Sequence, residues 1–589
     1  MQRNKDTKKI EQIEKVSKNP EQITQSIADV IDKFDTKSIF KETDLIKRSG
    51  ILVSTITMAM LILPFMGAAS VAALFKSGLN KADAGKKDAY YDVKNNEKIA
   101  WRLLLLLLAK RFKVLVNRGN EEILKMKNEI EQIKAVIFDD SAIEKTGKTI
   151  EGIGYIHDHT SNIHILGYKL LVCGFWDGMS FIPLDFSLHK EKRNRELKKT
   201  EERLAKKKEK IKKVETDIQE LEERKIVKKR LLIEVEKTYQ TKGGKTNEKN
   251  IYQKQNVVTR IEKRIEQLKI ELELQKAKEQ FLANEHFELK SNYRYCGLKK
   301  EDYQNQYKKK RDRNSSGYKR MKEANSNKID NMIKMLKRVV RHGFIPDYVL
   351  TDSWFFCQKL LQAIIATGCS IELVSMAKIG TAKYKVLPTD KFLNPNEIIT
   401  RYNRKQGKNS RKYKARYMQF QAEYQGIRVK IFLIRFGTHG KWRMLVTTEV
   451  QMSFTRIMEI YKIRWTIEVF FKECKQYLQL SKCQSQDFDA QIADATLSMI
   501  RYILLSYYER THYGITIGGL FRQLSQAAIK ENLLADISTY FIELLQIFAE
   551  LAGVDFIELY EGLLRKPEVV QIINKTGLIF EKPEISEAA

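Results

Sequence analysis

Residues 459–475 read EIYKIRWTIEVFFKECK, and the spacing of their polar side chains decides how the rest of the chain is interpreted. Tyr461, Arg464, Glu468 and Lys475 stand at offsets 0, 3, 7 and 14. On a helix they fall at about 0°, 300°, 340° and 320°, inside one sector of about 60°. An ordinary amphipathic helix gathers its apolar side chains on one stripe and scatters its charges over the rest. Here a phenol, a guanidinium, a carboxylate and an ammonium share a face, while Ile463, Trp465, Ile467, Phe470 and Phe471 supply bulk elsewhere. One acid flanked by two cations suits a metal ligand beside a phosphate clamp. A surface ladder of ion pairs uses the same letters, so the helix needs partners elsewhere in the chain.

Two short β-rich runs offer them. AVIFDD (135–140) and YVLTD (348–352) each deliver carboxylates where an apolar run stops, at a sheet edge. Taken singly, such an Asp also caps a turn. IHILGYKLLVCGFWDG (163–178) and MSFIPLDFSL (179–188) read as a strand pair turning at Asp177–Gly178. WFFCQKLLQAII (354–365) reads as an amphipathic helix and IELVSMA (371–377) as a further strand. This order of strands and helices, broken by two insertions, suggests an α/β fold with an RNase H-like core and a mixed sheet. Such a core sets one carboxylate on its first strand, one after its fourth and one on a later helix. The candidate acids are Asp140 (with Asp139 as the alternative), Asp352 and Glu468. Hard carboxylate oxygens suit two Mg²⁺ ions about 3.5–4 Å apart, with Mn²⁺ as a substitute.

The surrounding chain divides by composition. Residues 1–130 read as a helical DNA-binding region that includes the apolar helix Trp101–Val116, and 131–188 as the first part of the core. From 189 to 330 Lys, Glu, Arg and Gln dominate, and no proline occurs between Pro183 and Pro346. Leu197, Leu204, Ile211, Val214, Ile218 and Leu221 keep heptad spacing, as do Val258, Ile261, Ile265, Leu268 and Leu272. With a reversal at Gly243–Gly244, the pattern predicts an antiparallel helical hairpin. Arms of about 40 residues would reach roughly 60 Å. The arm tracks DNA, binds a partner or serves as a spacer. The core resumes at 345–378, a β-rich basic insertion fills 379–453, the core closes over 454–510, and 511–589 is helical. Within the insertion, Arg401, Arg404, Lys405, Lys408, Arg411, Lys412, Lys414 and Arg416 alternate with Tyr402, Tyr413 and Tyr417, as on a surface that follows a phosphate backbone. KKKRDR (308–313) is a second candidate. Both runs also read as solvated charge.

A net charge of +32 on 589 residues makes nucleic acid the expected partner, ahead of a membrane surface or ribosome. The six cysteines form no C-x-x-C pair, which argues against a zinc ribbon and a disulfide framework and fits a reducing cytoplasm. MQRNKDTKKIEQ (1–12) lacks the apolar run of a signal peptide. Residues 51–75 carry no charge, but Pro64 and Gly67 divide them, so two buried helices are expected rather than a membrane span. His157, His159 and His164 cluster without a further ligand at metal spacing.

Y-(2)-R-(3)-E-(6)-K is the signature of DDE transposases of the insertion sequence four family, and Tyr461, Arg464, Glu468 and Lys475 match it without a gap. The chain resembles that family from about residue 50 to 510, least over the hairpin. The family's first acid sits in a D-[ST] pair, which favours Asp140–Ser141, and its second matches Asp352 in YVLTDSW. DDSAIEKTGK (139–148) and LPFMGAASVAALF (63–75) are similar to other family segments. The resemblance implies metal-dependent cleavage at both transposon ends by a homodimer, and transfer of the freed 3′-hydroxyls to target double-stranded DNA. It also implies prokaryotic, cytoplasmic, nucleoid-associated work. Tyr461, Arg464 and Lys475 would grip phosphates, Trp465 would wedge beside them, and Trp442 would stack a flipped base or fill the insertion's core. The rivals are an RNase H-like nuclease without strand transfer and a non-enzymatic coiled-coil DNA-binding protein.

Overall fold

The computed structural model describes residues 30, 33–43, 45, 51–68, 70–76, 86–118, 133–159, 161–190, 194–242, 245–511 and 516–576. The expected polar start at 1–12 and the Gly243–Gly244 reversal lie outside them. Helices α1 (Thr36–Glu42), α2 (Val53–Ile62), α3 (Val71–Lys76), α4 (Lys87–Lys94) and α5 (Trp101–Arg118) come first. The uncharged stretch 51–75 is two helices, α2 and α3. Between them the amide of Gly67 donates to the carbonyl of Pro64, and Gly67 takes a φ of 70° that a side chain would disfavour. Among the described residues no helix is long and apolar enough to cross a membrane.

Among the described residues twelve strands form one mixed sheet. They are β1 (Ala135–Glu144), β2 (Gly154–Asp158), β3 (Ile163–Trp176), β4 (Phe181–His189), β5 (Tyr348–Thr351), β6 (Glu372–Ala377), β7 (Tyr384–Val386), β8 (Lys391–Leu393), β9 (Lys408–Ser410), β10 (Ala415–Tyr424), β11 (Ile427–Phe436) and β12 (Trp442–Thr447). The remaining helices are α6 (Asn194–Lys242), α7 (Lys245–Arg294), α8 (Lys300–Gln304), α9 (Ser316–Ala324), α10 (Lys328–Arg341), α11 (Gln358–Ile365), α12 (Pro395–Gln406), α13 (Phe454–Ile463), α14 (Trp465–Gln476), α15 (Phe488–Thr511), α16 (Ile517–Ala552), α17 (Phe556–Leu564) and α18 (Pro567–Thr576).

The chain separates into two compact units: residues 1–152, 167–189 and 307–589, and residues 153–166 and 190–306. In the first, β4 pairs with β3 and β3 with β1, both antiparallel, while β5 joins β1 and β6 joins β5 in parallel. This mixed α/β arrangement is consistent with an RNase H-like core. The β3–β4 turn falls at Asp177–Gly178, where Asp177 Oδ1 accepts from the amides of Met179 (2.9 Å) and Ser180 (2.8 Å). Every residue of β4 is buried, because α5, α9 and α10 cover it. The basic insertion is no separate sheet: β12 pairs with β6, so β12, β11 and β10 extend the core sheet. Their inner side chains form a second core around Met418, Ile431, Leu433, Met444 and Val446.

The second unit contains the helical hairpin. The ion pairs Glu215–Lys276, Glu222–Lys269 and Lys225–Glu262 fix α6 and α7 antiparallel. Val214, Ile218, Ile261, Ile265 and Leu268 fill the seam. The arms run to 49 and 50 residues, longer than the heptads alone indicated, or about 75 Å each.

Candidate active site

Asp139 and Asp140 do not end their strand. β1 continues to Glu144 along β3, whereas β5 stops at Thr351. The parallel register sets Ala135 beside Tyr348 and Ile137 beside Leu350. Carried two residues further, it sets Asp139 beside Asp352, just past the end of β5. Side chains alternate along a strand, so Asp139 and Ser141 share one face and Asp140 takes the other.

The helix segment meets the first of these faces. Ser453 caps α13, its hydroxyl accepting from the amide of Arg456. At Arg464 the backbone tightens to i+3 bonds: its amide donates to Tyr461 and its carbonyl accepts from Ile467. The expected single helix is therefore two abutting ones, yet the four polar side chains still gather on one side. Arg464 Nη1 lies 2.8 Å from Asp139 Oδ2, and Nη2 binds Glu468. Lys475 Nζ donates to Ser141 Oγ at 2.7 Å. Burial pushes the Tyr461 hydroxyl up to about 12, with Arg464 opposing and the charges of Asp352 and Asp139 adding to the rise. Tyr461 thus feels both carboxylates. Trp465 is 62% exposed, beside this face rather than beneath it.

Asp140 is placed differently. Lys328 Nζ lies 2.6 Å from its Oδ2 and Lys169 Nζ 3.8 Å from its Oδ1. Lys328 in turn sits 4.1 Å above the ring of Trp354. Asp140 is thus neutralised by lysines, while Asp139 faces Arg464 and Asp352. The residues alone gave one signal for this, the strand's alternation. It separates the two acids without saying which face the helix covers.

Burial pushes the Asp139 carboxyl up to about 7; Arg464 pulls it down, and the negative Asp352 pushes it further up. Two neighbouring carboxylates, one of them poorly solvated, form a hard-oxygen donor set that a divalent cation would relieve. Among the described residues no group of three or more His, Cys, Asp or Glu side chains is set to hold a metal ion, and here Arg464 bridges Asp139 and Glu468. His157 and His159 approach to 3.2 Å through their Nδ1 atoms and remain outside any such group.

The second basic run, 308–313, is only partly a surface. Lys309 pairs with Asp487 (2.9 Å) and Asp489 (2.8 Å), and Arg311, its side chain 3% exposed, binds Glu151, Asp487 and Asp489. Lys308, Lys310 and Arg313 stay exposed. In the other basic run, Arg411 and Lys412 are exposed in the β9–β10 turn, and Lys412 Nζ lies 2.6 Å from Glu459 on α13. Trp442 packs against the insertion's core, with the Arg435 guanidinium 5.3 Å from its ring.

Glu473 on α14 lies near Glu509 of α15; burial and then that like charge push its carboxyl up to about 7. Its folded value exceeds its unfolded one, so its stabilising contribution is complete below about pH 4.5 and is lost as pH rises towards 7. Glu473→Gln should therefore raise the melting temperature relative to wild type at pH 8, by the equivalent of about 1–2 kcal/mol. The gap should close towards pH 5, which paired thermal melts at the two pH values will show.

Residues 317–504 match the family model described as Transposase DDE domain. The matched segment contains Asp352, Arg464 and Glu468 and excludes β1. No curated protein matches the chain. The match supports a DDE transposase, hence a nucleic-acid-processing, DNA-binding protein, and DDE transposase domains generally use divalent metal ions.

Proposed function

We propose that this chain is a cut-and-paste DNA transposase whose acidic triad is Asp139, Asp352 and Glu468. The observation that carries the reading is the register of β1 and β5, which makes Asp139 and Asp352 neighbours beneath Arg464 and Glu468. Asp139, Asp352 and, once released from Arg464, Glu468 would hold two Mg²⁺ ions, with Mn²⁺ able to substitute. When bound, such ions activate the attacking water or 3′-hydroxyl and stabilise the leaving oxygen. Arg464 pairs with both Asp139 and Glu468, and its guanidinium would be available to a DNA phosphate if those carboxylates held metal ions. Lys475, anchored on Ser141, and Tyr461 line the same face and orient the scissile phosphate. Arg411, Lys412 and the exposed side of Trp465 extend this surface towards the flanking duplex, whereas the packing of Trp442 suits a core role in the insertion better than base stacking.

The family resemblance adds a homodimer bridging two terminal inverted repeats, in a prokaryotic, nucleoid-associated setting. Incubating the purified protein with end-bearing DNA, Mg²⁺ and a target plasmid tests the reaction. Joined end–target products are expected. Cuts without joining would instead assign the same site to an RNase H-like nuclease, and binding without cuts to a non-enzymatic DNA-binding protein.

A further inference from the structure

The hairpin carries a second apolar face that its own fold leaves unused. The inner side of α7, with Val258, Ile261, Ile265 and Leu268, is buried against α6. On the outer side Ile270 is 67% exposed, Leu274 53% and Phe281 73%. With the exposed Ala277 they occupy a sector of about 60°, roughly opposite the seam. A helix apolar on two opposite faces has a second neighbour to find.

Charge on the same outer face identifies that neighbour. Arg260 and Lys263 lie on the N-terminal side of the apolar patch, and Glu285 and Glu288 on the C-terminal side. None of the four joins the ion pairs that zip α6 to α7 among the described residues. The order along α7 is basic, apolar, acidic. A second copy laid antiparallel, centred on Leu274, sets Lys263 against Glu285 and Arg260 against Glu288 at both ends. It also lays the apolar patches together. A parallel copy would oppose like charges, and DNA would meet an apolar centre and an acidic end.

We propose that the outer face of α7 is a self-association surface through which two copies of this chain pair antiparallel, hairpin against hairpin. The contact is isologous, so it closes at two subunits. It does not depend on the catalytic reading.

Full-length Lys263→Cys and Glu285→Cys proteins, mixed and treated with a short thiol cross-linker, test the geometry. The mixture should give a dimer joined through positions 263 and 285, identified by peptide mass, and neither protein alone should give a dimer linked through its new cysteine. Ile270→Glu with Leu274→Glu replaces exposed side chains, so the helical circular dichroism should be kept. This double variant should raise the dimer dissociation constant by light scattering on the order of tenfold or more. Arg260→Glu with Lys263→Glu should weaken pairing, and adding Glu285→Lys with Glu288→Lys in the same chain should restore it. A monomer at tens of micromolar, a 263–263 cross-link, or a 263–285 cross-link indifferent to the double variant would each overturn the proposal.

Discussion

Asp139→Asn should lower Mg²⁺-dependent cleavage of end-bearing DNA by about three orders of magnitude, while Asp140→Asn should stay within about tenfold of wild type. Losing one oxygen ligand of a catalytic ion removes several kcal/mol of transition-state stabilisation, and a thousandfold corresponds to about 4 kcal/mol. Asp139 faces Asp352 and the helix bearing Glu468, whereas Asp140 is held by Lys328 and Lys169. Neutralising Asp140 leaves two lysines without a counter-charge, a local loss of stability rather than of chemistry. Single-turnover cleavage under saturating metal, with DNA affinity measured alongside, separates the two. The reverse ranking, with Asp140→Asn inactive and Asp139→Asn near wild type, would return the first ligand to the position that the D-[ST] pattern favours.

Arg311→Met should destabilise the fold by about 3–5 kcal/mol and leave the salt dependence of DNA binding nearly unchanged. The guanidinium is almost wholly enclosed and lies within 3.2 Å of three carboxylates. Burial works against its charge, but the surrounding acids win and raise its affinity for the proton. Removing it leaves Glu151, Asp487 and Asp489, among the described residues, with Lys309 to answer three negative charges. Lys310→Met, at the adjacent and exposed position, should leave stability within about 0.5 kcal/mol. Chemical denaturation of both variants checks the contrast. Equal, small effects would show that the run is a charged surface throughout.

The sequence was most legible where a pattern repeated. Heptads announced the hairpin, Pro64 and Gly67 divided the uncharged stretch, and the Asp177–Gly178 turn lay where two apolar runs met. The polar face of the 459–475 segment was visible because four side chains returned at helical spacing. Pairwise facts were hidden. Nothing in AVIFDDSAIE says that β5 stops alongside its middle, so the D-[ST] pattern favoured Asp140 and left Asp139 as the alternative. Arg311 and Lys309 read as surface cations because their acidic partners are supplied from Glu151 and from the start of α15, far away in sequence. The joining of the basic insertion to β6 was equally unreadable, since Val374, Ser375 and Met376 pair with Thr447, Val446 and Leu445 across a long connection.

The hairpin also bears on how the central strands find each other. β1 and β5 must pair across about two hundred residues, a separation that ordinarily slows folding. Half of that span zips up locally, and Glu201 near its start comes within 3.9 Å of His286 near its end. A chain that returns to its point of departure lengthens the polypeptide without lengthening the search. Removing matched heptads from both arms should therefore leave the refolding rate of the sheet almost unchanged, as loop-closure entropy depends on the span still free to wander.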